Sequence, residues 1–209
     1  MVVLTPAHGW RGAAVLALTL VLAVGCSSDP ATRSASSVPA ATSAAPSAPT
    51  VDALGPLSPS APLRLRIPAI EVDSPLMDLG LLEDGSLEVP PEGFPAGWYT
   101  GAPTPGSLGP AIIAGHVDWA GAPGVFFALR DLTAGDTITV DREDGTTALF
   151  RVGSVQQFPK DAFPTDAVYA DIDHAGLRLI TCGGSFDADA RSYRDNIVVF
   201  ADLAGVDPT

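Results

Sequence analysis

The chain has 209 residues, enough for one domain or for one domain with appendages. Lys and Arg number 11 against 24 Asp and Glu, a formal net charge of −13, which excludes the basic stripe that nucleic-acid binders need. An apolar content of 46% excludes wholesale disorder, while 21 Gly, 20 Pro and only 17% charged residues favour a turn-rich β fold over a helical bundle. The single lysine, Lys160, stands among ten arginines and reads as base composition, without mechanistic content.

Residues 1–26 read as an export signal. His8 and Arg11 precede an uncharged apolar run from Ala13 to Gly25. That run is shorter than the ~20 residues of a spanning helix and suits a signal core of about 7–15. Ala23-Val24-Gly25 before Cys26 resembles a bacterial lipobox, which makes Cys26 the candidate for lipid attachment. An uncleaved signal anchor and a plain secretory signal are the alternatives, and all three put the rest of the chain outside the cytoplasm. From Ser27 to Pro62 the chain is dominated by Ser, Ala, Pro and Thr. Such a stretch buries too little apolar surface to offset its ordering entropy, so 27–62 is expected to be a disordered tether. Residues 63–209 remain as one domain with its own core.

In that domain the dominant period is two. Leu63 to Ile67 alternates apolar and charged residues, as a half-buried strand does. Ser86 to Val89 reads as a short strand before Pro90-Pro91, and Ala111 to Val117 as an apolar strand behind Gly109-Pro110. Gly124 to Leu132 is the one plausible short helix. Thr137–Arg142 and Thr146–Val152 flank Asp144-Gly145, a strong hairpin signal because Gly tolerates the positive φ of such turns. Leu177–Cys182 and Asn196–Ala201 complete the set. Regular strands with little helix indicate a closed barrel or a sandwich.

With Cys26 set apart, Cys182 is the one thiol of the domain. A lone cysteine usually packs as a small hydrophobe, but Cys182 ends an apolar strand and is followed by Gly183-Gly184, where another molecule can approach closely. The thiolate is the reactive form, so a base is needed. His8 lies in the signal, and His174 sits in a polar turn and reads as a solvated loop residue. His116 ends the strand beginning at Ala111, beside Gly115, and so mirrors the placement of Cys182. A guanidinium suits a developing oxyanion, because it donates in a planar fork and stays charged. Arg194, just ahead of the last strand, is the better candidate and Arg191 the competing one; a surface arginine paired with Asp195 or Asp189 is the bland alternative.

Ile113-Ala-Gly-His-Val-Asp118, Leu177-Arg-Leu-Ile-Thr-Cys-Gly-Gly184 and Ser192-Tyr-Arg-Asp-Asn-Ile-Val-Val199 together resemble sortases, the cysteine transpeptidases of Gram-positive cell surfaces. Gly97-Trp-Tyr99, Gly124–Leu132 and Phe186-Asp187 look most like the class F branch of high-GC Gram-positive bacteria. The resemblance covers residues 63–209 in order. It implies an all-β fold, a closed eight-stranded barrel with one or two short helices, with Cys182 as nucleophile, His116 as general acid/base and Arg194 as oxyanion donor. Phe158 to His174 would be a loop that helps form the peptide groove. It implies cleavage of a Leu-Pro-x-Thr-Gly-like sorting signal through a thioacyl intermediate, and transfer to a cell-wall amine. The partners implied are secreted surface proteins bearing that signal, the amine acceptor and the membrane at the N-terminus, with the enzyme monomeric and on the membrane's outer face. The acidic cluster that some sortases use for calcium has no clear match, so neither metal nor cofactor is expected. Two other readings stand beside this one: an exported L,D-transpeptidase-like enzyme, and a non-catalytic surface lipoprotein with the same barrel.

Overall fold

The computed structural model describes residues 55–208. The expected export signal, Cys26 and most of the expected tether lie outside the described residues. Eight strands close a barrel in the order β1-β2-β3-β4-β9-β10-β8-β7. They are β1 (Pro62–Ile67), β2 (Val72–Leu79), β3 (Ala96–Tyr99), β4 (Gly109–Ala114), β7 (Thr137–Arg142), β8 (Thr146–Pro159), β9 (Ala175–Asp187) and β10 (Ser192–Pro208). A separate small hairpin, β5 (Asp118–Trp119) with β6 (Ala122–Pro123), follows β4. The only α-helix among the described residues is α1 (Thr165–Tyr169), so the expected all-β eight-stranded barrel is what the chain forms.

The period of two explains where the core sits. Successive strand side chains point to opposite faces. Ala111, Ile113, Leu177, Leu179, Ile197 and Val199 point into the barrel, where they meet Leu65, Ile67, Ile138, Val140 and Phe150. The intervening residues Ile112, Ala114, Ile180 and Val198 face outward instead, under a second apolar cluster with Leu79, Leu87 and Val168. That outer face is roofed by Phe158 at the end of β8 and by Phe163 and Tyr169 of the segment between β8 and β9. Strands β4, β9 and β10 are therefore buried on both faces, which is why they read as near-continuous apolar runs.

Several expectations needed correction. Ser86 to Val89 forms only a single bridge, Leu81 to Leu87. Its hydrogen bonds are local: Asp84 accepts from the Ser86 N–H and hydroxyl, and Glu88 accepts from the Gly80 N–H. Gly124 to Leu132 contains only a 3-10 turn, Leu129–Asp131. Its backbone bonds run three residues back, from Phe127 to Gly124, Leu129 to Phe126 and Asp131 to Ala128, so the segment winds as successive tight turns and not as an α-helix. Strand β2 escapes the alternation because Pro75 interrupts it, though β2 pairs antiparallel with β1 and parallel with β3. The barrel also begins earlier than Leu63. Leu57 packs on the core and donates to Gly106, the Ser60 N–H donates to Thr104, and the buried Arg142 guanidinium donates to the Ser58 carbonyl. Residues 57–61 thus belong to the folded body, fastened by polar contacts that composition does not reveal.

Candidate active site

Cys182 and His116 meet because two strands run side by side. β4 and β9 are parallel, and their last registered pair is Ala114 with Ile180. The Gly115 N–H still donates to the Ile180 carbonyl at 3.1 Å. His116 and Cys182 each lie two residues further on, so they come level with one another on the same outward face as Ala114 and Ile180. A pocket of about 100 Å³ is lined by both, together with Leu87, Val89, Ile180 and Asn196. The sequence places these two residues at matching strand ends; the pairing register brings them together.

His116 is held in place. Its Nε2 lies 2.7 Å from the Pro90 carbonyl oxygen, which can only accept, so Nε2 carries a proton and Nδ1 is left as the basic nitrogen. The imidazole stands 4.8 Å from the Trp119 ring, tilted by 44°. A Cβ at Gly124 would overlap the His116 carbonyl, so this close approach requires glycine.

On its other side Cys182 faces β10, where its registered partner is Asn196. Asn196 is buried, and neither Nδ2 nor Oδ1 has a hydrogen-bond partner among the described residues. A buried amide left unpaired is costly, and one that lines a pocket beside a thiol is available to a ligand. Just beyond, β9 takes a bulge, with the register shifting between Tyr193 and Asp195. Gly184 adopts φ +74 there, and a Cβ on it would overlap the Asp195 carboxylate. The space beside Gly183 is likewise taken by Ile197. The two glycines serve the bulge and the chain's own packing, not the approach of another molecule.

The bulge has a consequence for the arginines. Arg194 is absent from the lining of the Cys182–His116 pocket; its guanidinium pairs with Asp187 at 3.0 Å, with the side chain 67% exposed. The Asp187 carboxyl is held below the usual range, first by the Ala190 N–H, then also by Asp189 and Arg194. Arg191 is exposed in the hairpin turn at φ +50. Both arginines thus lie apart from the pocket. The cation that does reach the thiol is Lys160, read from composition as uninformative: its Nζ is 3.6 Å from Cys182 Sγ and 2.9 Å from Ser192 Oγ. Neither Lys160 nor Asn196 has a local sequence signal, since each becomes meaningful only through strand pairing. His174 lies between Asp173 and Asp202 on the surface, away from this pocket, and its imidazole is held above its ordinary value, first by Asp173.

Among the described residues no group of three or more His, Cys, Asp or Glu side chains is arranged to hold a metal ion. No helix among them is long and apolar enough to cross a membrane.

Residues 65–204 match the sortase domain family. No curated protein matches the chain. Among solved structures, a lid mutant of sortase A from Corynebacterium diphtheriae is similar at TM-score 0.53 and 22% identity, covering 72% of this chain and 73% of that one. Pilus Island 1 sortase C2 of Group B Streptococcus gives 0.53 and 19%, covering 68% and 73%. Sortase C-1 from Actinomyces oris gives 0.52 and 19%, again covering 68% and 73%. At such identities the likeness concerns the fold.

Proposed function

The chain belongs to the sortase family, a family of cysteine transpeptidases, and from that premise we propose that it cleaves a Leu-Pro-x-Thr-Gly-like sorting signal and transfers the acyl part to a cell-wall amine. The observation that carries this reading is the single pocket lined by Cys182 and His116 from adjacent parallel strands. Cys182 Sγ gives its proton to His116 Nδ1 and attacks the Thr–Gly carbonyl carbon. The C–S bond forms as the carbonyl π pair moves onto oxygen. Collapse of that intermediate breaks the C–N bond, and His116 returns the proton to the leaving amine. An acceptor amine then resolves the thioester, with water as the slow alternative.

Arg194 is the proposed oxyanion donor. To reach the pocket it must leave Asp187, and an exposed ion pair of this kind holds by no more than about 1 kcal/mol. Asn196 is placed to hold the peptide beside the thiol through its unpaired amide. The class F assignment rests on Gly97-Trp-Tyr99, Gly124–Leu132 and Phe186-Asp187. Residues 1–26, through Cys26 or as an uncleaved anchor, attach the enzyme to the outer face of the membrane, with 27–54 as spacer. No cofactor enters this scheme, and the enzyme acts as a monomer.

A sorting-signal peptide carrying a thiol-reactive group in place of the scissile amide tests the reading. An adduct on Cys182 that depends on the peptide sequence supports it. A protein that binds the peptide without forming the adduct would instead be a non-catalytic barrel, and reaction only with peptidoglycan stems would favour the L,D-transpeptidase reading.

A further inference from the structure

Lys160 occupies a place that base composition does not explain. It follows Pro159, the last residue of β8, which is registered with Asp195 of β10. The lysine backbone is thereby fixed one step beyond a long ladder and next to the strand that carries Asn196. From there its half-buried side chain reaches Cys182 Sγ at 3.6 Å, with Ser192 Oγ holding the same nitrogen at 2.9 Å.

What surrounds the ammonium is as telling as what it touches. The chain carries 24 carboxylates against 11 Lys and Arg, so a lysine would ordinarily find an acidic partner. Among the described residues none forms an ion pair with Lys160. Arg194, which lines a surface pocket together with Lys160 and Ser192, is already held by Asp187. Among the described residues Lys160 is the one cation in contact with the thiol.

We propose that Lys160 is a catalytic residue, whose ammonium donates to the Cys182 sulfur while that sulfur is negatively charged. The inference rests on the reading of Cys182 as nucleophile. In the acylation step the sulfur loses its proton to His116 and carries the charge until the C–S bond forms. A donor at the sulfur stabilises that charge, and the contact lapses once the thioester sulfur is neutral. Lys160 keeps its three protons throughout, because the proton that moves passes between sulfur, imidazole and the leaving amine. Ser192 keeps the ammonium positioned between turnovers. The role is separate from that of an oxyanion donor, which contacts the carbonyl oxygen of the peptide.

The other titratable groups around the pair are His116 at the end of β4, Tyr193, Asp187, Arg194 and Asp195 of the β9–β10 hairpin, and Asp161 beside Lys160. A pH profile therefore compares variants at Lys160 alone, with these groups unchanged.

The experiment is alkylation of Cys182 in the full chain by neutral iodoacetamide without substrate, read by peptide mass spectrometry across pH, alongside single-turnover acylation by a sorting-signal peptide. Lys160→Met is expected to slow both reactions about tenfold near pH 7, as loss of one partly screened charge contact implies, with little change in KM. Its alkylation rate should rejoin wild type in strong alkali, and Lys160→Arg should keep most of the neutral-pH rate. A purely structural role would lower reactivity evenly at all pH values. Wild-type alkylation by Lys160→Met across the whole range would overturn the proposal. Alkylation that responds to Lys160 while no thioacyl enzyme forms even in wild type would overturn the transpeptidase reading instead, leaving the Lys160–Cys182 coupling in place.

Discussion

The seam where β1 meets β2 and β7 and the outer face of β4, β9 and β10 both carry polar groups on a sheet, yet they treat them in opposite ways. At the seam every charge has a partner. Arg64 pairs with Asp73, Arg66 bridges to Asp141 at 2.6 Å, and Thr147 donates to the same carboxylate. On the outer face the Asn196 side-chain amide has no partner among the described residues, His116 is tied to a backbone carbonyl, and Lys160 rests on a thiol. Paired charges steady a barrel and are chemically quiet. Groups left unpaired or set beside a nucleophile are where reactivity collects.

The sharpest way to break this comparison is Cys182→Ala. It should abolish transpeptidation while leaving thermal unfolding near wild type, since only a small half-buried side chain within β9 is trimmed and the ladder to β10 is kept. Substantial residual turnover would mean that the outer face is not the reactive one. Next in size is Arg194→Ala, expected to slow single-turnover acylation by about 10²–10³, the usual loss for one oxyanion donor. Arg191→Ala should change it little, and the reverse order would move the donor role to Arg191.

The seam side yields smaller effects on stability. A chain beginning at Pro62 loses Leu57 and leaves the buried Arg142 guanidinium without the Ser58 carbonyl. It should unfold about 2–3 kcal/mol more easily than one beginning at Gly55, measured by urea titration. Equal midpoints would return residues 57–61 to the tether. Smallest is Asp141→Asn. The Arg66 guanidinium, donating to it, holds the Asp141 carboxyl below its ordinary value. A carboxyl lowered in the folded state contributes stability that is present above the unfolded value, near pH 4, and is lost as pH falls through the folded one. Because the Arg66 side chain is 41% exposed and so screened by solvent, the difference from wild type should be under about 1 kcal/mol at pH 7 and should vanish in acid. A gap that persists at pH 2 would show that the pair acts through packing and not charge.

The two regions also differ in how much of them can be read from the chain. The seam's strands announce themselves: Leu63–Ile67 alternates, and Asp144-Gly145 marks the β7–β8 hairpin. On the outer face His116 and Cys182 are legible as reactive residues at matching strand ends. Their neighbours are not. Asn196 becomes a pocket residue through its register with Cys182, and Lys160 through the length of β8, which runs on to Pro159. Arg194 looks favoured by its nearness to a rigid strand, but the bulge at Gly184 changes the register just there and the side chain lies on Asp187. Local pattern reports strands, while pairing decides which side chains share a pocket.

The most direct test of the central claim, that Cys182 and His116 act as one pair, is intact-mass detection of the thioacyl enzyme in a single turnover with a Leu-Pro-x-Thr-Gly peptide. Wild type should gain the mass of the acyl fragment on Cys182, and His116→Ala should accumulate it at least 10² more slowly, since leaving-amine protonation is lost. Unimpaired acylation of His116→Ala, or an adduct on any other residue, would contradict the account.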